Sequence, residues 1–410
     1  MPTASNSGAR PDARIPELDG LRGFAILIVV LVHYAYSPDT SGPPLLVHIR
    51  NLFSFGWTGV DLFFVLSGFL IGGILLNAKS STNYFKTFYV RRFYRIIPIY
   101  YLWTLGFIAL VAFGGKFLRA HTHSGVLPPL GFDVFQHFLF LQNVFLPKQV
   151  TLASWWFGVT WSLAVEEQFY LVAPILIRFL NVTRLRILLL LVVLVAPVLR
   201  TFFYLRERFP SGHYYTLMPC RADSLALGVL AVLLWQDDRV RALLSVHKTR
   251  LSLLLATLFA GMIVLWVWFP SPFGGLTATI GLSWVAMFYV VVLLFVLLNP
   301  AGLIARFTRL RPLRELGRVS YCVYLIHVAV AYIVFNLISR TTPHLTDFKS
   351  LGLTIVCAVV TYMTARLSWT YFEGPLVQIG HHTRYLTIPA REALTLNQVG
   401  ITNKPQADHS

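Results

Sequence analysis

The chain has 410 residues, of which 56% are hydrophobic and only 12% charged, whereas soluble domains carry roughly 25% charge. Apolar runs long enough to cross a hydrocarbon core of about 30 Å recur throughout, which excludes an ordinary soluble enzyme. The formal net charge of +17 fits basic cytosolic loops and is not read as a nucleic-acid surface. Three cysteines, Cys220, Cys322 and Cys357, are too scattered for a disulfide framework or a metal site.

In chain order, residues 1–14 are rich in Pro, Ser and Ala and read as a disordered tail. The first apolar run, FAILIVVLV at 24–32, is followed by no small-residue cleavage site and reads as a retained helix. Ten spans are predicted: 21–37, 58–77, 95–114, 155–179, 185–204, 221–236, 251–269, 276–298, 319–338 and 350–372. In lipid these must be helices, since the bilayer offers no backbone partners. The fold class expected is therefore an all-α, polytopic transmembrane bundle. Residues 15–375 form the membrane domain and 376–410 a cytoplasmic tail. Alternate sides of this topology hold 23 and 10 Lys and Arg residues, with Arg366 inside the last span. The richer side is read as cytoplasmic, which places both termini there and the protein in the inner membrane. The connection 115–154 contains GFDVFQHFLFLQNVFL at 131–146, too interrupted for a span and expected to be partly embedded or interfacial.

Polar groups inside such helices each require a reason. His33 follows Arg22 by eleven residues in the first helix. That places it roughly 16 Å deeper, near the bilayer midplane, if Arg22 marks the helix start. An imidazole there suits a general base for a hydroxyl, or a packing residue bonded to a neighbouring helix. Arg91, Arg92 and Arg95 stand at the start of the predicted third helix, and guanidinium groups bind phosphate oxygens in a fixed fork. Their alternative role is positive-inside anchoring. Glu166 and Glu167 lie within the apolar fourth span, either in a structural ion pair or supporting His33. Asp61, Tyr321, Tyr324 and His327 are further polar points, with His327 the weaker base, and Ser67–Gly68 reads as a close-packing site.

The segments LDGLRGFAILIVVLVH, GVDLFFVLSGFLI, RRFYRIIPIYY, TWSLAVEEQFYL, RADSLALG and SYCVYLIH together resemble acyltransferase family 3, polytopic membrane O-acyltransferases that act on glycans. The resemblance spans residues 15–375. It implies a catalytic His33, matching the family's Arg-to-His spacing in the first helix, and functional Arg92 and Arg95, matching its Arg-x-x-Arg pair. The extracytoplasmic hydrolase-like domain that some relatives append is expected to be missing.

The mechanism expected is transfer of an acyl group, acetyl foremost, from cytosolic acyl-CoA to a glycan hydroxyl. Arg22, Arg92 and Arg95 would hold the donor phosphates and a buried cavity would lead the thioester to His33. Glu166 would steady the imidazolium. No permanently bound cofactor is expected. The partners are acyl-CoA, a glycan or glycosylated acceptor and the lipid bilayer, with no nucleic acid. The rival class is a transporter or flippase, which intramembrane His, Glu and Arg would also suit. No internal repeat of the transporter kind is evident.

Overall fold

A computed structural model describes residues 15–35, 37, 41–121, 132–145, 152–206 and 212–386. Among these residues every regular element is helical. The first half of the chain forms α1 (Pro16–Ala35), α2 (Pro44–Phe53), α3 (Gly59–Asn77), α4 (Tyr84–His121), α5 (Phe132–Phe138), α6 (Leu152–Phe157), α7 (Trp161–Phe179) and α8 (Val182–Arg206). The second half forms α9 (His213–Thr216), α10 (Met218–Gln236), α11 (Asp238–Val246), α12 (Lys248–Trp268), α13 (Leu282–Leu298), α14 (Leu303–Thr308) and α15 (Arg311–Arg318). It ends with α16 (Ser320–Ser339), α17 (Phe348–Ser368) and α18 (Gly374–His382). Two π-turns, Thr277–Gly281 and Trp369–Glu373, precede α13 and α18.

Among the described residues, nine helical stretches are long and apolar enough to cross a membrane. They account for nine of the ten predicted spans. The tenth, α7, has the same length class but carries Glu166, Glu167 and Arg178. The chain is a multi-pass membrane bundle.

Three differences from the sequence reading follow from where helices begin and end. First, α1 starts at Pro16, a proline already preset for the first helical turn, with Glu17 and Asp19 at its positive end. Arg22 is thus well inside α1, and His33 falls in its last turn, about 25 Å along a helix of about 30 Å. The spacing between the two residues holds, but the imidazole is nearer the far end of α1 than its middle. Second, α4 starts at Tyr84, so the arginines lie two to three turns into the helix and do not open it. Third, helical structure continues through the π-turn at 369–373 to His382. Residues 383–386 then bond back to the start of α4, with Arg91 Nε donating to Thr383 O at 2.9 Å and Asn83 to Arg384 O at 2.8 Å. The predicted boundary at 375 therefore cuts through packed structure.

Of the segment predicted to be partly embedded or interfacial, the described residues 132–145 pack against the helices of the bundle. Phe140 stacks on Tyr100 with ring centroids 4.6 Å apart. Gln142 donates to Thr160 O and the Tyr100 hydroxyl, and Asn143 is fully buried against Gln168 and Thr216.

Close approach of helices depends on glycine at two places. A Cβ on Gly68 of α3 would sit 2.1 Å from Leu225 O of α10, and one on Gly228 would sit 2.3 Å from Val65 O. Gly317 of α15 meets α1 in the same way, 1.9 Å from Asp19 O. Such contacts let van der Waals packing act between backbones where lipid supplies no hydrophobic drive. The Ser67–Gly68 reading is thus half right: Gly68 packs, and Ser67 points elsewhere.

Two arginines counted on the poorer side, near the ends of spans 185–204 and 221–236, are buried inside the bundle. Arg200 meets Asp223 at 2.9 Å, Cys220 O at 2.6 Å and Ser283 at 2.5 Å, and donates to Thr279 O in the π-turn at 277–281. Arg221 meets Asp61 at 2.8 Å and lies over the rings of Tyr215, Phe64 and Trp161. Both pairs are shielded from solvent almost completely. They hold α3, α8, α10 and α13 together.

Candidate active site

Arg22, Ile26, Val29 and His33 recur at spacings of four, three and four on α1, which puts them on one stripe. Ile26 and Val29 are fully buried, so the stripe faces the bundle interior. Around Arg22 the interior is hollow. A cavity of ≈ 710 Å³, its open mouth included, is lined by Arg22, Arg92, Arg95, Glu166, Glu167, Ser67 and Tyr170, and ends at Val60, Ser162 and Tyr324. A contiguous outer chamber shares Arg22, Arg92, Arg95, Ser67 and Tyr170, and adds Arg91, His381 and Tyr385. It opens at the end of the bundle where the described chain begins and stops.

The structure therefore brings Arg22, Arg92, Arg95 and Glu166 together. Their bonding is unequal. Glu166 accepts a hydrogen bond of 2.6 Å from Ser67, whose hydroxyl also lies 2.9 Å from that of Tyr170. Among the described residues, Arg22, Arg92 and Arg95 have no hydrogen bond and no ion pair. Arg92 lies over the rings of Tyr170 and Phe88, 5.5 and 6.0 Å from their centroids. Arg91 differs from its neighbours: it is bonded to Thr383 and stacked on Tyr385. Three half-buried cations without acceptors among the described residues line one cavity, and guanidinium groups have the chemistry to hold an anion.

His33 lies outside the lining of that cavity. His33 is exposed although Ile26 and Val29 on the same stripe are fully buried. Its Nδ1 is 2.8 Å from Val29 O and 3.3 Å from Nε2 of His327 on α16, with the rings edge to face at 4.9 Å. No bond joins Glu166 to His33. The expected support of the imidazole by Glu166 is corrected accordingly, because that carboxylate is committed to Ser67 among the arginines. Tyr324 stands between the two regions. Its hydroxyl is fixed by Ser162 at 2.6 Å and Val159 O at 3.0 Å, and its ring is 5.9 Å from that of His327. The arginine cavity reaches Tyr324 and His33 is not among its lining residues, so the continuous path to the imidazole expected from sequence is not seen in it.

The family model described as an acyltransferase domain matches residues 15–363. The chain belongs to acyltransferase family 3. Peptidoglycan O-acetyltransferase OatA of Listeria monocytogenes is 28% identical over 390 residues, covering 89% of this chain and 56% of the relative. O-acetyltransferase OatA of Staphylococcus aureus strain NCTC 8325 is 23% identical over 376 residues, covering 89% of this chain and 58% of the relative. The acyltransferase chain thus spans little more than half the length of these curated relatives. No solved structure matches it.

Sequence reasoning missed Tyr170 and Ser67 as cavity residues. Tyr170 was within reach, since it follows Glu166 by four positions on one helix face. Ser67 was not, because which face of α3 meets α7 depends on the Gly68–Gly228 contact. Among the described residues, no group of three or more His, Cys, Asp or Glu could hold a metal ion.

Proposed function

We propose that this domain transfers an acetyl group from acetyl-CoA to a hydroxyl of peptidoglycan or a chemically similar glycan across the inner membrane. The observation that carries the proposal is the trio Arg22, Arg92 and Arg95. Their guanidinium groups lack acceptors among the described residues and converge in a cavity open at the basic end of the bundle. By the positive-inside rule that end is cytoplasmic, where acyl-CoA resides. The relatives' names supply the acceptor class: the L. monocytogenes protein is a peptidoglycan O-acetyltransferase.

The donor's phosphates bind the arginine forks, and Arg92 remains ordered by its stacking on Tyr170. Glu166, held by Ser67, balances part of the arginine charge when the donor is away. The pantetheine arm then passes Tyr324, whose ring turns aside once its hydroxyl leaves Ser162, and presents the thioester to His33. The glycan hydroxyl enters from the opposite side, where the His33 ring is exposed. His33 takes the hydroxyl proton as the oxygen attacks the thioester carbonyl. The C–O bond forms, the C–S bond breaks, and the proton passes from His33 to the leaving thiolate. This division into a donor chamber and an acceptor face suits a reaction whose substrates come from opposite sides of a membrane.

The test is direct. Purified protein in detergent or nanodiscs is incubated with radiolabelled acetyl-CoA and peptidoglycan fragments. Label appearing in an ester on the glycan supports the proposal. Label remaining wholly in acetyl-CoA, with every glycan class offered, contradicts it.

A further inference from the structure

His327 is fully buried, and its bonding leaves one arrangement of protons. Its Nδ1 lies 2.8 Å from Tyr324 O and 3.1 Å from Val323 O. A carbonyl oxygen can only accept, so Nδ1 carries the proton and Nε2 carries the lone pair. That lone pair faces Nδ1 of His33 at 3.3 Å. Nδ1 of His33 is also 2.8 Å from Val29 O, another obligate acceptor. Both neighbours of this nitrogen therefore accept, and it must donate. The proton of neutral His33 resides on Nδ1, and its Nε2 is left with a free lone pair on an exposed ring.

We infer that His327 is a positioning residue: it fixes the tautomer and ring orientation of His33 so that Nε2 of His33 is the reacting atom. The inference rests on the catalytic reading of His33 proposed above. The arrangement places a nucleophile or base in line with a third group that orients it, here an imidazole where other enzymes use a carboxylate. Val29 O alone holds the Nδ1 proton but sits on the same helix as His33 and cannot define the ring from the other side. His327 does so from α16, anchored by two carbonyls of its own helix. When His33 gains the substrate proton on Nε2, its Nδ1–H still points at the lone pair of neutral His327, which stabilises the cation without a buried carboxylate.

The experiment compares His327→Phe, His327→Gln and His33→Ala in the purified full chain, with kcat and both KM values measured and folding followed by thermal unfolding. Phenylalanine keeps the aromatic volume and removes the acceptor. The kcat value should fall about 100-fold with little change in the KM of donor or acceptor. The Gln amide oxygen can replace the Nε2 acceptor, so His327→Gln should recover at least a tenth of the original kcat. If His327→Phe does not assemble, His327→Met makes the same comparison with a flexible side chain. A folded variant lacking the acceptor but turning over at the original rate overturns the inference, as does equal impairment with Gln and Phe. Full activity of His33→Ala would instead overturn the catalytic reading beneath it.

Discussion

Removing the Arg92 side chain separates the donor-binding account from simple helix anchoring. Among the described residues Arg92 has no acceptor, so Arg92→Ala leaves none of their buried carboxylates or carbonyls unpaired. The fold loses only its stacking on Tyr170 and Phe88, at about 0.5–1 kcal/mol for each such contact. A bond from this guanidinium to a donor phosphate contributes about 1.5–3 kcal/mol, equivalent to a roughly 10- to 150-fold rise in the requirement for acetyl-CoA. Initial rates measured against acetyl-CoA at fixed glycan should show that rise, while the KM for glycan and the unfolding temperature stay close to those of the parent. Arg92→Lys keeps a charge but loses the planar fork and should fall between them. Arg91→Ala is the internal control, because Arg91 is already bonded to Thr383 and stacked on Tyr385. It should loosen the C-terminal segment with a smaller effect on the donor. Equal rises in both KM values for Arg92→Ala, or a large drop in unfolding temperature with donor KM unchanged, would refute the reasoning.

Other substitutions probe the scaffold and the corrected role of Glu166. Glu166→Gln should leave kcat nearly unchanged and move the donor KM, because the carboxylate lies among the arginines and not on His33; a collapse of kcat at saturating donor would return it to the imidazole. Asp61→Asn leaves the fully buried Arg221 without its counter-ion and should destabilise the bundle by about 3–5 kcal/mol, read as thermal unfolding in detergent; an unchanged transition would show that Arg221 finds another partner. Gly68→Ala forces a Cβ to within 2.1 Å of Leu225 O and should cost about 1–3 kcal/mol. Gly106→Ala on α4 meets nothing within 4 Å and should be neutral or gain up to about 1 kcal/mol. Similar unfolding temperatures for these two glycine variants would contradict the packing described.

Composition and apolar run length were sufficient to read the bundle, because the bilayer allows helices alone and demands their length. The motifs pointed to Arg22, Arg92 and Arg95 sharing one site, and they line one cavity; Glu166, expected beside His33, lies with them instead. What the linear chain did not carry was depth and pairing. The helix start at Pro16, six residues before Arg22, shifted His33 along its helix without altering the Arg22–His33 spacing. Arg200 and Arg221 were counted with the outer side although they fall near the ends of spans 185–204 and 221–236, since their partners Asp223 and Asp61 come from helix packing that hydropathy does not encode. His327 was ranked below His33 for the same reason: nothing in SYCVYLIH says that its ring would face another imidazole almost 300 positions away. The end of the cavity at Tyr324 depends on one hydroxyl finding Ser162 and Val159, a contact between two distant segments.

The most direct measurement is single-turnover transfer of label from acetyl-CoA to glycan by His33→Ala protein, at saturating donor and with folding verified by thermal unfolding. The account predicts that the variant still binds acetyl-CoA at the arginine cavity and forms no labelled ester. Ester formation at the rate of the unaltered protein would contradict it.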